Sequence, residues 1–336
     1  MTAACPPEPL GSTIEAFVRA RVPTGADAFR YKLLSGGNSH ITWRVETGGN
    51  DGDLVVKIAQ PDGPLAPYDV AHEGEMMAQA HAAGVPAPAL IGHLQDGDLQ
   101  FLVMRAVEGE APSIWEVQNW LADRPDTDRI GIGRSLLSIL PALADATQSR
   151  ARQSDIYAAY LDGLVHNLEE ATAGVMVLPP TIRAAQSWLI DRLPQMEAPP
   201  TLCHGDFRIG NAVFRDGGIV AMLDWERAMT GHPLHDLGFL CLPGMRVGDR
   251  ICGVLTQDEL AEAWLAITGD DLDLKAAAYF KIVAIFGEIC LMVRALARLA
   301  TGNGRLTGVR PLPLVANLHR DLVKSIRRWD NGDFNL

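Results

Sequence analysis

Three polar residues at defined spacing constrain this chain more than any other feature. Asp206 precedes Asn211 by five residues, and Asp224 follows Asn211 by thirteen residues, directly after the apolar run 219–223. Phosphoryl transfer from ATP requires a carboxylate that accepts a hydroxyl proton, together with an amide oxygen and a second carboxylate that bind Mg²⁺. The spacing therefore predicts one site at which these three side chains act on a phosphate-bearing ligand.

The size and composition of the chain indicate a globular protein of two lobes or domains. With 336 residues, 48% of them hydrophobic, it can bury a substantial core. The cysteines are scattered without a Cys-x-x-Cys pair, so neither a disulfide framework nor a zinc site is predicted. They are Cys5, Cys203, Cys241, Cys252 and Cys290. The N-terminus lacks the basic and apolar segments of a signal peptide, and we expect a cytoplasmic protein.

Charge and hydropathy argue against two classes of partner. The net charge of -12 disfavours binding to nucleic acid or to an anionic membrane surface. The longest apolar stretch, residues 279–299, contains Lys281, Glu288, Arg294 and Arg298. Charges are rare inside membrane-spanning helices, so this stretch predicts a buried helix of the protein core.

The first hundred residues alternate between helix-like and strand-like patterns. The segment Ser12-Thr-Ile-Glu15 is a capping-box pattern that predicts a helix from Ser12 to about Val22. Residues 70–83 indicate a second helix, which Gly84 and Pro86 end. Segments with strand character lie at residues 29–34, 41–47, 54–59, 89–94 and 99–104. The order predicts a five-stranded antiparallel sheet crossed by one helix.

Lys57 is anomalous because it stands inside an apolar predicted strand. A lysine there either extends its ammonium group to the edge of the sheet or pairs with a buried anion. Glu73 on the following helix offers a carboxylate, and the loop between the first two strands offers backbone N–H groups to phosphates. That loop comprises Ser35, Gly36, Gly37, Asn38 and Ser39. Its composition also suits a plain hairpin turn, but in this order the three features predict a triphosphate cradle.

These segments resemble the aminoglycoside phosphotransferase and choline kinase family, the small-molecule relatives of the protein kinases. Leu54-Val-Val-Lys57 is similar to the strand that carries the nucleotide lysine, and Phe101-Leu-Val-Met104-Arg105 to the last strand before the hinge. His204-Gly-Asp206 with Asn211 resembles the catalytic loop, and Leu223-Asp224-Trp225-Glu226 resembles the metal-binding segment. The chain looks most like the phosphotransferase branch related to domains fused to acyl-CoA dehydrogenases.

The resemblance implies a role for each residue of the catalytic loop. Asp206 would orient the acceptor hydroxyl and act as the base, while Asn211 and Asp224 would bind Mg²⁺. His204 would brace the loop by hydrogen bonding. Arg208 would lie near the γ-phosphate or, alternatively, form a structural ion pair.

The same resemblance assigns the nucleotide-binding residues. Lys57, Glu73, the loop of residues 35–39 and Met104 would bind ATP, and loss of Lys57 would weaken ATP use with little change in thermal stability. Asp236 would accept hydrogen bonds from the backbone of the catalytic loop. Glu226 would face the substrate or form a surface ion pair.

The implied fold is α+β, a two-lobed protein-kinase-like architecture with an antiparallel five-stranded N-lobe and a mainly helical C-lobe. Residues 1–104 would form the nucleotide-binding N-lobe, residues 105–109 the hinge, and residues 110–336 the C-lobe with the catalytic loop. Helical segments at residues 130–196 and 257–329 would enclose the acceptor.

The short interval between Asp224 and Asp236 bounds the class of acceptor. Only eleven residues separate them, so the long segment on which protein kinases dock a peptide is missing and a protein substrate is not expected. Mostly apolar helices with few charges suit an acceptor with apolar surface and one or two polar groups. We therefore expect ATP- and Mg²⁺-dependent transfer of the γ-phosphoryl group to a hydroxyl of a small molecule, with aminoglycosides as poor substrates.

Two other classes of protein stay open. A nucleotide-binding pseudokinase or regulatory module would usually lack one of the catalytic residues, whereas Lys57, Glu73, Asp206, Asn211 and Asp224 are all present. A metal-dependent hydrolase would leave Lys57 without a role. Its ligands would be His204, Asp206, Asp224, His235 and Asp236.

Overall fold

The N-terminal lobe is built on a five-stranded antiparallel sheet. In the computed structural model its strands are β1 (Arg30–Gly36), β2 (His40–Glu46), β3 (Leu54–Ala59), β4 (Leu90–Asp96) and β5 (Leu99–Arg105), in the spatial order β1-β2-β3-β5-β4. The structure describes residues 6–25, 27–36, 40–49, 52–63, 66–97, 99–113, 116–147, 149–302 and 311–336. The predicted sheet is confirmed, and each predicted strand agrees with an observed one to within two residues at either end.

Side chains of the central strand β3 alternate between the two faces of the sheet. Val56 packs with Trp43 and Phe101 in an apolar cluster that helix α1 (Leu10–Arg19) covers. Lys57 points to the opposite face, toward helix α2 (Val70–Ala82), which carries Glu73. The period of two along the strand thus places one buried cation on the side of the sheet that faces the other lobe.

The C-terminal lobe is mainly helical. Its helices are α3 (Val117–Ala122), α4 (Asp126–Leu137), α5 (Ile139–Asp145), α6 (Gln153–Thr172), α7 (Pro180–Arg192), α8 (His235–Leu240), α9 (Gln257–Thr268), α10 (Leu274–Ala300) and α11 (Pro311–Asp330). Two short antiparallel pairs interrupt them, β6 (Thr201–Cys203) with β9 (Met229–Gly231) and β7 (Ala212–Arg215) with β8 (Gly218–Met222). The predicted catalytic loop, residues 204–211, lies between β6 and β7, so both ends of the loop are fixed by strand pairing.

Helix α10 forms the centre of this lobe. It packs against α6, α8 and α11. By length and composition it is the one helix among the described residues that could cross a membrane, but 83% of its most apolar window is buried inside the protein. This agrees with the buried core helix predicted for residues 279–299.

Two local predictions differ from the structure. Helix α1 begins at Leu10 rather than at Ser12, and the Ser12 hydroxyl donates to the Pro9 carbonyl at 2.8 Å instead of capping the helix. The predicted capping box is therefore wrong, because Ser12 already lies in the first helical turn. A capping box does occur at α9, where Thr256 and Glu259 exchange hydrogen bonds with each other's backbone.

Candidate active site

Lys57 is almost completely buried on the face of β3 that points to the cleft between the lobes. Its ammonium group donates to Glu73 Oε1 at 2.6 Å, and the two residues are only 8% and 3% exposed. An unpaired charge at this depth costs several kcal/mol. Glu73 on α2 is therefore the counter-ion of Lys57, and the ammonium group does not extend to the edge of the sheet.

The segment after β8 brings two further carboxylates to Lys57. Asp224 accepts a hydrogen bond from the Lys57 ammonium group and holds a left-handed backbone conformation with φ 70° and ψ 60°. Glu226 Oε2 lies 3.9 Å from Lys57 Nζ and 3.1 Å from His40 Nδ1. Positive φ values in non-glycine residues occur preferentially at functional sites. The fold thus holds Asp224 in an uncommon conformation to keep its carboxylate in the cleft.

Burial and neighbouring charges shift the pKa values of this cluster. Burial, together with Asp224, raises the pKa of Glu226 to about 8. Burial and the Lys57 charge lower the pKa of His40 to about 4. Burial opposes ionisation of Asp224, but the Lys57 ammonium group holds the pKa of this carboxyl well below its usual range. At neutral pH the cluster therefore holds a charged Lys57 and Asp224 beside a neutral His40.

The catalytic loop joins its three polar residues directly. Asp206 Oδ2 accepts hydrogen bonds from Arg208 Nη2 and from Asn211 Nδ2, each at 2.8 Å. Asn211 Nδ2 also donates to the Asp206 carbonyl at 2.8 Å. Because the amide nitrogen of Asn211 is turned toward Asp206, its amide oxygen is the atom that can bind a cation.

Side chains hold this loop through its backbone. The Asp236 carboxylate accepts from the His204 N–H at 2.7 Å and from the Gly205 N–H at 2.9 Å. His204 Nε2 lies 2.9 Å from the Leu223 carbonyl, and Nδ1 lies 3.3 Å from the Asp206 N–H. Burial lowers the pKa of His204 to about 4, so a neutral ring donates at Nε2 and accepts at Nδ1. Both ring nitrogens are engaged, and His204 links the loop to the residue before Asp224.

The predicted phosphate loop is described only at its start. Ser35 and Gly36 end β1, paired with Thr42 and Ile41 of β2. Gly37, Asn38 and Ser39 lie outside the described residues.

Met104 lies near the end of β5, buried and paired with Val55 and Leu90. Beyond it the Ala106 N–H donates to the Asp53 carbonyl at 3.0 Å. The start of the predicted hinge, residues 105–109, is thus fastened to the sheet beside Met104.

A cavity of about 200 Å³ lies beside the catalytic loop on the C-lobe side. Gly205, Arg227 and Met229 line it from the loop segments, and side chains of α6 and α10 complete it. Gly205 has φ 78°, and a Cβ atom there would lie 2.1 Å from the Arg227 carbonyl oxygen. Only glycine fits at this position, because the backbone of Arg227 lies so close to it.

Several contacts of the site escaped the sequence analysis. Arg227 Nη1 donates to Glu288 Oε1 on α10 at 2.6 Å, and Arg294 on the same helix donates to the Ala66 carbonyl in the N-lobe. His40 approaches Glu226 across the cleft. Partners so far apart in the chain leave no local signal in the sequence. Glu288 and Arg294 stand out in the sequence only as charged residues within an apolar stretch.

The donor set suits Mg²⁺ and a nucleoside triphosphate. The Asn211 amide oxygen and the Asp224 carboxylate are hard oxygen ligands, and Lys57 adds a positive charge for phosphate oxygens. Among the described residues, the group of His, Cys, Asp and Glu close enough to hold a metal by itself is His40, Glu73 and Glu226, which already surrounds the Lys57 ammonium group. The hydrolase ligand set does not converge, because His204 and Asp236 bind backbone groups.

Solved structures of similar fold include an aminoglycoside phosphotransferase and an ethanolamine kinase. The aminoglycoside phosphotransferase APH(4)-Ia superimposes with a TM-score of 0.60 and 15% identity, covering 94% of this chain and 98% of its own. A thermostable mutant of that enzyme was solved with ADP and hygromycin B. The ethanolamine kinase of Plasmodium vivax gives a TM-score of 0.60 and 10% identity over 91% of this chain and 84% of its own. Likenesses at these identities establish the two-lobed kinase-like fold.

Curated relatives are longer proteins that contain a similar segment. Acyl-CoA dehydrogenase family member 11 of Mus musculus is 31% identical over 82% of this chain and 38% of its own length. The Rattus norvegicus protein is 29% identical over 87% of this chain and 40% of its own length. This chain thus spans about two fifths of the length of either relative. The predicted resemblance to the phosphotransferase branch related to domains fused to acyl-CoA dehydrogenases is confirmed.

The family model described as "Phosphotransferase enzyme family" matches residues 30–277, well over half of the chain. The match begins at β1 and extends into α10, so it includes the sheet with Lys57, the catalytic loop and Asp224. The chain belongs to this phosphotransferase family.

Proposed function

We propose that this protein is an ATP- and Mg²⁺-dependent kinase that transfers the γ-phosphoryl group to a hydroxyl of a small organic molecule. The observation that carries the proposal is the connected set Lys57–Asp224 and Asp206–Asn211, assembled from three segments of the chain. The Leu223 N–H donates to the Asn211 carbonyl at 2.7 Å and joins the two pairs. A phosphate-binding cation, a base and two metal ligands thus share one cleft.

Each lobe has its own part in this mechanism. Lys57, held by Glu73, would bind phosphate oxygens of ATP. The loop of residues 35–39 is the predicted phosphate loop, and Met104 with residues 105–109 would contact the nucleobase. Asn211 and Asp224 would hold Mg²⁺, which would supply positive charge against the phosphates. These contacts fix the γ-phosphorus in line with the acceptor, which is the main source of rate enhancement in this chemistry.

Asp206 and Arg208 complete the reaction on the acceptor side. Asp206 accepts the hydroxyl proton as the acceptor oxygen forms its bond to the γ-phosphorus, and the bond between that phosphorus and the ADP oxygen breaks. Arg208 is paired with Asp206, and its positive charge would lie near the transferred phosphoryl group. His204 and Asp236 keep the loop in position and take no part in proton transfer.

The assignment of Asp224 predicts that nucleotide binding depends on Mg²⁺. Titration calorimetry with ATP, in Mg²⁺ and in EDTA, should show tighter binding in Mg²⁺ for the natural protein. This gain should be lost in Asp224→Asn. Asp216→Asn is the matched control, because Asp216 is exposed in the turn between β7 and β8 and tolerates a positive φ as asparagine does. Equal Mg²⁺ dependence in the two variants would contradict the proposal.

A further inference from the structure

We propose that His40 and Glu226 are a positioning pair that couples the predicted phosphate loop, residues 35–39, to the metal-binding segment, residues 223–226. This inference rests on the nucleotide-binding part of the proposed function and adds two residues to it. Neither residue touches the transferred phosphoryl group. His40 acts through the loop that precedes it, and Glu226 acts through Asp224.

The two residues stand next to the parts of the site that they connect. His40 directly follows the predicted phosphate loop and begins β2, where it pairs with Ala59 of β3. Glu226 lies two residues after Asp224, in the short helical turn of residues 225–227. Since each peptide unit is rigid, the position of either side chain constrains the backbone one or two residues away.

The contact between the two side chains is buried. His40 Nδ1 lies 3.1 Å from Glu226 Oε2, and the side chains are only 4% and 11% exposed. The His40 ring packs against the ring of Tyr68, with 4.7 Å between the ring centroids. A buried polar group needs a partner, so each of the two side chains supplies what the other requires at this depth.

The neighbours of Glu226 in the chain are fixed to the C-lobe. Trp225 is buried, and its Nε1 donates to the Met222 carbonyl at 2.9 Å. Arg227 donates to Glu288 on α10 at 2.6 Å. Glu226 lies between them in the chain but contacts β2 of the N-lobe. The contact thus joins a turn that is anchored in one lobe to a strand of the other lobe.

The pair can keep the two lobes aligned when a nucleotide enters the cleft. Lys57 also connects the two sides through Asp224, but a divalent cation at Asp224 would repel the ammonium group. His40 is neutral at pH 7, because burial and the Lys57 charge lower its pKa to about 4. A neutral ring is not repelled in this way, so its contact with Glu226 can persist.

Variants of His40 separate the role of its nitrogen from that of its ring. ATP binding is measured by titration calorimetry in Mg²⁺ and in EDTA, and the readout is the gain in affinity that Mg²⁺ gives. His40→Phe keeps a ring against Tyr68 but removes Nδ1, and the gain should fall roughly three- to tenfold, the scale expected when one polar partner is removed. His40→Asn places a polar atom near the position of Nδ1 and should keep part of the gain.

A double-mutant cycle tests whether the two residues act as one unit. Glu226→Met should reduce the Mg²⁺ gain by a factor similar to that of His40→Phe, and the double variant should lose little more than either single variant. The matched control is the pair His166 and Glu170 on α6, whose side chains lie 3.5 Å apart but are 70% and 68% exposed. His166→Phe and Glu170→Met should bind ATP like the natural protein. Urea unfolding shows that each variant is folded before binding is measured.

Four outcomes would overturn the inference. A full Mg²⁺ gain in His40→Phe would show that His40 acts only through its ring packing. Losses that add in the double variant would show that the two residues act separately. A much larger loss in Glu226→Met than in His40→Phe would assign Glu226 to the metal directly. An equal loss of ATP affinity in Mg²⁺ and in EDTA would show a general structural role.

Transfer of labelled phosphate from ATP separates failure of this inference from failure of the kinase function. The expected coupling in ATP binding, without transfer to any acceptor, would leave the inference standing and overturn the kinase function. Transfer by the natural protein without coupling between the two residues would overturn the inference alone. If the natural protein binds ATP equally in Mg²⁺ and in EDTA, no metal-dependent arrangement exists for the pair to position, and both are wrong.

Discussion

The two sides of the cleft are held together by different interactions. On the N-lobe side, Lys57 pairs with Glu73 and Asp224, so the arrangement depends on opposite charges buried together. On the C-lobe side, Asp236 accepts from backbone N–H groups of the catalytic loop, and His204 of the loop binds the Leu223 carbonyl. The loop also lies between two strand pairs. The loop is thus positioned by hydrogen bonds that are independent of any ligand, whereas the charge cluster responds to the charges that enter the cleft.

This difference explains why Lys57 contacts Asp224 as well as Glu73. A divalent cation at Asp224 would repel the Lys57 ammonium group, which would leave Lys57 to Glu73 and to phosphate oxygens. We expect Glu73 to stay as the partner, because it is buried on α2 and is not a proposed metal ligand. The cluster is therefore expected to rearrange on binding of Mg²⁺ and ATP, while the loop stays in place.

Removal of the base should give the largest effect. Asp206→Asn should lower turnover by roughly 10²- to 10⁴-fold, the usual scale for a proton-transfer group. Binding of Mg²⁺–ATP should change little, because Asp206 is not a metal ligand. Steady-state kinetics and calorimetry on the folded variant measure both quantities, with Asp216→Asn as control. Near-normal turnover would show that this side of the cleft does not contain the base.

Removal of Lys57 should destabilise the charge cluster as well as weaken ATP use. From the sequence alone little change in stability is expected, but Lys57 is 8% exposed and its loss leaves buried carboxylates without a partner. Breaking such a pair costs about 3–5 kcal/mol, some of which protonation of Glu73 would recover.

A double-mutant cycle measures this coupling. Denaturant unfolding of Lys57→Met, Glu73→Gln and the double variant should give a double variant more stable than the sum of the single losses predicts. If Lys57→Met has the same free energy of unfolding as the natural protein, the charge cluster does not stabilise the fold. The claim that opposite charges hold the N-lobe side of the cleft would then be wrong.

Removal of the loop's backbone acceptor should have a smaller but distinct effect. The Asp236 carboxylate accepts hydrogen bonds from two backbone N–H groups. In Asp236→Asn the amide nitrogen would face one of them and leave it without an acceptor. One unsatisfied buried donor costs about 1–3 kcal/mol. Turnover should fall while ATP binding stays close to normal. The control is Asp155→Asn on the exposed first turn of α6. Stability equal to that of the control would argue that the loop is held in another way.

Acid pH should weaken the fold through buried histidines near the loop. Burial lowers the pKa of both His232 and His235 to about 3, against 6.5 for an ordinary histidine. The unfolded chain binds more protons between these values, so the stability contribution is complete above pH 6.5 and is lost as pH falls toward 3. Each histidine adds a slope of at most about 1.4 kcal/mol per pH unit.

Urea unfolding of His235→Gln at several pH values checks this prediction. The variant should show a shallower decline of unfolding free energy between pH 6.5 and 4.5 than the natural protein. An unchanged slope would mean that the folded protein does not keep His235 in its neutral form.

The sequence predicted those parts of the protein whose signals are local. Residues 54–59 carry β-branched and apolar side chains between Gly52 and Pro61, and they form β3 as expected. The spacing of Asp206 and Asn211 also predicts that they share one site, and the structure brings the two side chains into contact within a single loop. Helix α1 was placed two residues late, since a capping pattern cannot reveal that the preceding prolines already start the helix.

Contacts between distant segments could not be predicted in this way. His40 meets Glu226 only because β2 lies beside β3, and Arg227 meets Glu288 only because α10 crosses behind the loop. The strand pair β6–β9 has three residues in each strand, too few for a period to be visible.

The most direct test of the account is transfer of labelled phosphate from [γ-³²P]ATP in the presence of Mg²⁺. A library of hydroxylated metabolites is incubated with the natural protein and with Asp206→Asn, and labelled products are separated from ATP and inorganic phosphate. The account predicts a labelled small-molecule product with the natural protein and a loss of roughly 10²-fold or more in the variant. Tight Mg²⁺-dependent ATP binding without labelled product from any acceptor, or equal transfer by the two proteins, would contradict it.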